Sequence, residues 1–213
     1  MRRTLLAATL AAASATTALA EPEPEVAFGL TATTNYIYRG ATQTDDRPAL
    51  QGYVEGAFGG FYAGAWASNV RLEDDRLELD LYAGFRNTVG GLDYDVGYIR
   101  YLYDDSGDCC GEAFLALDHA FGETVAAGAT YFYDFDERTS WLDARAGTEV
   151  GELFTLDGAI GTDFGTLDLG ADDKVAWNLG ANRALTEAVA IDLRYHDSNY
   201  DPARLVLSVA ADF

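Results

Sequence analysis

The sequence predicts an all-β protein, a single antiparallel transmembrane β-barrel of about twelve strands with both termini on the periplasmic side. Three observations carry that expectation. From Val26 onward the chain divides into twelve runs of about ten residues, the length a tilted strand needs to cross a bilayer. Within the clearest runs apolar and polar residues alternate, one face oily and the other wet. The connections alternate as well, tight turns with longer acidic loops, which is the asymmetry of outer-membrane barrels.

Residues 1–20 precede the barrel. Arg2 and Arg3 lead an apolar run that Ser14, Thr16 and Thr17 interrupt, and Ala18-Leu19-Ala20 closes it with a small-x-small pattern. This reads as a signal peptide cleaved after Ala20, too short and broken for a spanning helix. The remaining residues, 21–213, form one domain, the barrel. Of the 14 basic side chains two leave with the leader, so 12 bases face 35 acids and the formal charge is −23. Such a chain repels a phosphate backbone, which excludes nucleic acid as a partner. Thirteen Tyr, 11 Phe and 22 Gly suit a barrel with aromatic girdles and tight turns.

The expected strands are 26–36, 49–58, 61–69, 76–87, 92–103, 112–121, 124–134, 140–149, 153–162, 173–183, 188–196 and 203–213. Tight turns are expected at 59–60, 88–91, 122–123, 151–152 and 184–187, and longer links at 39–48, 70–75, 104–111, 135–139, 162–172 and 197–202. In the fourth strand Leu77, Leu79, Leu81, Ala83 and Phe85 oppose Arg76, Glu78, Asp80, Tyr82 and Arg86. Leu142, Ala144, Ala146 and Val150 oppose Asp143, Arg145 and Glu149 in the eighth; Val175, Trp177 and Leu179 oppose Lys174, Asn178 and Asn182 in the tenth. In the eleventh Val189, Ile191, Leu193 and Tyr195 oppose Asp192, Arg194 and His196. Unpaired charge is expensive in a dry core, so these polar faces belong to a wet lumen. The third and sixth strands stay unassigned by this pattern, and His119 falls outside if Leu115 and Leu117 do.

The last run, 203–213, is apolar at every second residue back from the terminal Phe213. It resembles the carboxy-terminal signature of outer-membrane barrels, which implies recognition by the barrel-assembly machinery and closure against the first strand. A second resemblance lies in Thr34-Asn35-Tyr36-Ile37-Tyr38-Arg39-Gly40-Ala41-Thr42-Gln43-Thr44. With it go Pro48-Ala49-Leu50-Gln51-Gly52, residues 60–70 around Trp66 and Asn69, Glu78-Leu79-Asp80-Leu81-Tyr82-Ala83-Gly84, and Asp95-Val96-Gly97-Tyr98. Together they resemble the TorF family of porin-like proteins, also called the Gcw_chp family. Asn35, Tyr36, Arg39, Gly40, Gln43, Trp66 and Asn69 are its motif positions here. The resemblance implies a proteobacterial outer-membrane channel whose partners are lipid and small solutes or ions, with no cofactor and no catalytic or ligand residue to carry over.

The expected pore lining is Arg76, Glu78, Asp80, Arg86, Asp93, Asp95, Asp143, Arg145, Glu149, Asp157, Lys174, Asp192, Arg194 and Arg204. Eight acids against six bases favour cations modestly. Twelve strands lie between filled small barrels and wide porins, so a narrow open pore is expected, and a lumen plugged by paired charges is the alternative. Arg39 is expected to anchor its loop at the rim through Asp45 or Asp46, its alternative being a lumen constriction. Cys109-Cys110 reads as a vicinal disulfide in an oxidising compartment rather than a metal site with Asp108 and Glu112. The acid-rich loop 163–173 reads as solvated rather than calcium-binding. His196 and Ser198 lack a readable third partner, and no enzyme is expected.

Overall fold

The computed structural model describes residues 23–164 and 173–213. The proposed leader, and Asp168 and Asp172 of the acid-rich loop, lie outside the described residues. The chain forms β1 (Glu25–Thr33), the two-residue strands β2 (Ile37–Tyr38) and β3 (Ala41–Thr42), β4 (Ala49–Phe58), β5 (Phe61–Leu72), β6 (Asp75–Val89) and β7 (Leu92–Tyr103). It continues with β8 (Gly107–Phe121), β9 (Val125–Asp134), β10 (Ser140–Val150), β11 (Phe154–Phe164), β12 (Val175–Ala184), β13 (Val189–Ser198) and β14 (Arg204–Asp212).

β1 and β4 to β14 pair antiparallel, neighbour to neighbour, and β1 meets β14 to close a twelve-stranded barrel. Closure runs from Thr33↔Ser208 to Gly29↔Asp212. Beyond that register Phe28 and Phe213 exchange main-chain hydrogen bonds of 3.1 and 2.9 Å, and their rings stack at 5.3 Å. The terminal aromatic thus fastens the seam at which the sheet would otherwise leave an open edge.

Register explains the two faces. Leu81 pairs with Ala65 on one side and Arg100 on the other, so alternate residues of neighbouring strands share a face. Leu50, Phe61 and Leu205, at 62, 65 and 66 % exposure, belong to an apolar band around the outside. Water does not tolerate so large a continuous apolar surface, and this is a transmembrane-type fold. The buried side chains point inward instead, Tyr62, Tyr101, Phe114 and Trp141 among them. Flat rings fit there because glycines face them. A Cβ on Gly97 would come within 2.6 Å of the Phe114 ring, and one on Gly161 within 2.5 Å of the Trp141 indole nitrogen.

Three links differ from expectation. β5 and β6 run on to Leu72 and Asp75, so residues 73–74 make a tight turn where a longer loop was expected. Glu73 supports that turn with a left-handed φ of 47°. Link 104–111 shrinks because β8 begins at Gly107, and the Asp75 carboxylate accepts the Asp105 and Ser106 amides at 2.9 Å. β1 ends at Thr33, before the expected residue 36, because the chain leaves the wall there and folds inward.

Candidate functional site: a constriction inside the barrel

The inward segment, residues 34–48, carries most of the motif positions. Asn35 is its hub: its carbonyl oxygen accepts the Thr42 and Thr44 hydroxyls at 2.7 and 2.9 Å, and its amide donates to Asp46 at 2.7 Å. The Gln43 amide donates to the Tyr36 carbonyl at 2.7 Å, and the Gln43 carbonyl accepts the Arg71 amide at 2.7 Å, tying the hairpin to β5. Asn69 holds the far end, accepting the Leu50 amide at 2.7 Å and donating to the Pro48 carbonyl at 3.2 Å. Tyr36 sets its ring edge-on to Trp66 at 5.4 Å. These bonds satisfy the backbone and side-chain polar groups that the segment takes out of water, which is why a short polar segment can hold one conformation there.

The tip is Arg39-Gly40, where both residues take left-handed φ, 47° and 86°. Arg39 reaches across the lumen to Glu112 on β8, with its two terminal nitrogens 2.8 and 2.9 Å from the two carboxylate oxygens. The guanidinium lies 4.8 to 5.2 Å from the ring centres of Tyr38, Phe132 and Trp141. This corrects the expected rim bridge to Asp45 or Asp46. A planar fork flanked by rings and matched to a carboxylate is a far better seat than an exposed loop acid. Tyr101 and Tyr38 also donate to Glu112, at 2.9 and 3.2 Å. A cavity of about 110 Å³ remains beside them, bounded by Tyr38, Arg39, Glu78, Tyr101, Tyr103, Cys110, Glu112 and Asp134.

Gly40 packs against the opposite wall. A Cβ there would lie 2.7 Å from the Ala176 side chain and 2.8 Å from that of Ser198. Gly40→Ala is therefore expected to loosen the hairpin by about 1–2 kcal/mol from backbone conformation alone, with the clash adding to it. Faster amide hydrogen exchange across residues 35–47, with the barrel strands unchanged, is the readout; unchanged exchange would refute it.

The rest of the lumen charge sorts into sectors. Arg86 pairs with Glu55 at 2.5 Å and lies over the Tyr62 ring, whose hydroxyl donates to Asp95 at 2.6 Å. Arg145 binds Asp118 through two nitrogens and Thr130 at 2.6 Å. Arg194 bridges Asp157 at 2.8 Å and Asp192 at 3.0 Å, and donates to Asn178 at 2.6 Å. Glu78 and Asp80 face inward on β6, and Asp143 and Glu149 inward on β10. Asp93 accepts the Thr88 hydroxyl at 2.5 Å, beside a tight turn.

Three expected lining residues sit instead at the loop-side rim. Arg76 spends its guanidinium on the Glu73 and Asp75 carbonyls. Lys174 precedes β12 with its ammonium 5.5 Å from the Tyr200 ring centre. Arg204 binds Asp46 and Asp201. Strand parity gave the right face for these residues but not the depth, which depends on where each strand leaves the barrel. Glu55, Asp118 and Asp134 also face the lumen without having been expected there, and Glu112, expected at the start of a strand and considered only as a metal ligand beside the cysteines, faces it too. Asp118 alternates with Leu115 and Leu117, a signal masked by the small residues of β8.

Arg204 and Asp46 clamp the hairpin base. The Arg204 hydrogen bond holds the Asp46 carboxyl below its ordinary value. A depressed folded value stabilises the closed hairpin above the unfolded carboxylate pKa of about 3.9, and that contribution is lost as pH falls through the folded value. Exchange in residues 42–47 is expected to rise on acidification below about pH 4, and Asp46→Asn to abolish the step. A step that persists in Asp46→Asn would assign it to another group.

Cys109 and Cys110 are joined as a vicinal disulfide, with Cα atoms 3.8 Å apart. Register shifts here, Tyr101 pairing with Cys110 and Leu102 with Asp108, so Cys109 is the extra residue of a bulge. His119 is on the outer face, 2.9 Å from the Gly91 carbonyl. His196 and Ser198 both face inward, and the Ser198 hydroxyl donates to the Asp201 carbonyl at 3.1 Å.

A family model described as "Bacterial protein of unknown function (Gcw_chp)" matches residues 17–211; its description carries no mention of TorF. No curated protein sequence matches the chain. Among solved structures, a KdgM porin is 10 % identical at a TM-score of 0.67, over 88 % of this chain and 99 % of that one. A KdgM porin in complex with disordered oligogalacturonate gives 9 % and 0.65, over 88 % and 98 %. A NanC porin gives 9 % and 0.57, over 87 % and 97 %. At these identities the likeness is one of fold.

Proposed function

The chain belongs to the Gcw_chp family of bacterial proteins of unknown function, and from its geometry we propose that it is an outer-membrane porin for passive diffusion of small hydrophilic solutes or ions. The observation that carries this reading is the contrast between an apolar exterior and a charged lumen narrowed by its own hairpin. A protein that only had to span lipid could fill its interior with apolar side chains. The fold it shares with the KdgM and NanC porins supports the same reading.

Selectivity follows from fixed charge at the narrow part. With Arg76, Lys174 and Arg204 at the rim, and Glu55, Glu112, Asp118 and Asp134 inside against the one added base Arg39, the lumen is more acidic than the alternation suggested, and we read it as cation-preferring. Oligogalacturonate, found with a KdgM porin, is a polyanion, and this lumen is of the wrong sign for one. In this reading the chain is exported by its leader, both termini and the turns expected at 59–60, 88–91, 122–123, 151–152 and 184–187 face the periplasm, and the assembly machinery engages the strand ending in Phe213.

Single-channel conductance of refolded protein in a planar bilayer, with the reversal potential under a salt gradient, tests the proposal. Stable steps with a cation-selective potential are expected, and an anion-selective potential would remove the selectivity claim. A second reading, a closed barrel acting through its acidic loops, draws on the in-folded hairpin and the paired arginines. A silent bilayer from protein shown folded by heat-modifiable gel mobility would favour it.

A further inference from the structure

Glu78 and Asp80 differ from the lumen acids that face a cation, and from the others in carrying buried oxygens with no partner. Glu55, Glu112, Asp118, Asp157 and Asp192 each face an arginine. Glu78 is 3 % exposed, and one of its oxygens accepts the Tyr103 hydroxyl at 3.0 Å. Its other oxygen, and one oxygen of Asp80, are buried without a partner in hydrogen-bond geometry, although the Tyr36 hydroxyl lies beside Glu78. Among the described residues no cationic side chain forms an ion pair with either. Two neighbouring buried carboxyls without a counter-charge are settled only by taking up a proton or by binding a cation that displaces it.

What surrounds them says which cation would fit. Across the sheet Asp80 is paired with Trp66 on one side and Tyr101 on the other, and Glu78 with Ser68 and Tyr103. Tyr36 comes in from the hairpin against Trp66 and lies close to both carboxylates. Glu78, Tyr101 and Tyr103 also border the 110 Å³ cavity, which has room for a small cationic head on the side away from the Arg39–Glu112 pair. Rings with carboxylates between them suit an ammonium group, whose charge the ring faces attract and whose N–H donors the free oxygens accept. A divalent ion would want six or more oxygens, and among the described residues no group of three metal-binding side chains assembles.

We propose that Glu78 and Asp80, walled by Tyr36, Trp66, Tyr101 and Tyr103, form a subsite on the permeation path for solutes bearing a primary ammonium group. This rests on the channel reading for its meaning, but its binding can be measured without it. The experiment titrates n-butylammonium chloride, and separately n-butanol, into the refolded full barrel by calorimetry, and then repeats butylammonium as a blocker of single-channel current. Saturable binding of butylammonium and none of butanol are expected. Glu78→Gln and Asp80→Asn, both isosteric and checked for folding by heat-modifiable mobility, are each expected to weaken binding by about tenfold, the loss of one charge-assisted hydrogen bond. Binding that is absent, or equal in both variants and the parent, overturns the subsite whatever the bilayer shows. Saturable binding with a silent bilayer keeps the subsite and overturns the channel.

Discussion

Arg194→Ala is expected to be the most destabilising single substitution in the lumen. The side chain is 10 % exposed and holds Asp157, at 14 %, and Asp192, at 16 %, in one cluster. Removing one partner of a buried ion pair leaves uncompensated charge and costs about 3–5 kcal/mol. Here two carboxylates lose the same cation. The guanidinium also lies flat over Gly180, where a Cβ would come within 2.6 Å of its central carbon, so alanine leaves a gap that no neighbour fills. Denaturant unfolding in detergent, followed by gel mobility, should show the loss. Adding Asp157→Asn and Asp192→Asn to Arg194→Met should recover much of it, because the penalty lies in the stranded charges. A triple variant no better than Arg194→Ala would assign the cost to packing.

The second large effect is on conduction. Arg39→Ala removes the cross-lumen tie to Glu112 and a cation held between three rings. In the channel reading the single-channel conductance should rise roughly twofold or more, and the reversal potential should shift further toward cations, since one fixed positive charge leaves the narrowest part. Glu112→Gln should release the same hairpin but shift selectivity the other way. The opposite signs separate a charge effect from simple widening. Unchanged conductance in both variants would place the constriction elsewhere.

The alternation of Leu77, Leu79 and Leu81 with Glu78 and Asp80 was enough to assign faces in β6, and the same held for β10, β12 and β13. Side-chain direction in a strand is a local property with a period of two, so it is written in the sequence. The number of strands was legible because turns punctuate them. The extent of β5, β6 and β8 was not, because Arg71 and Leu72, Asp75, and Gly107 extend the sheet only when a neighbour offers hydrogen bonds.

Arg39 marks where local reading stops. Its neighbours in sequence, Asp45 and Asp46, are acids, and nothing near it in the chain points to Glu112, 73 residues away. That choice depended on closure, which brings β8 opposite the hairpin and makes a lumen in which a bidentate carboxylate flanked by rings outcompetes solvated loop acids. The same holds for Arg194 and its partners, and for Glu78 and Asp80, whose lack of a cation is a property of the assembled interior. Strand number, and face wherever apolar and polar residues alternate, come from each residue's relation to its chain neighbours, and the sequence by itself determined them for this protein. Which charges meet, and which are left without a partner, is set by the distance across a closed barrel, and only the tertiary structure decided it.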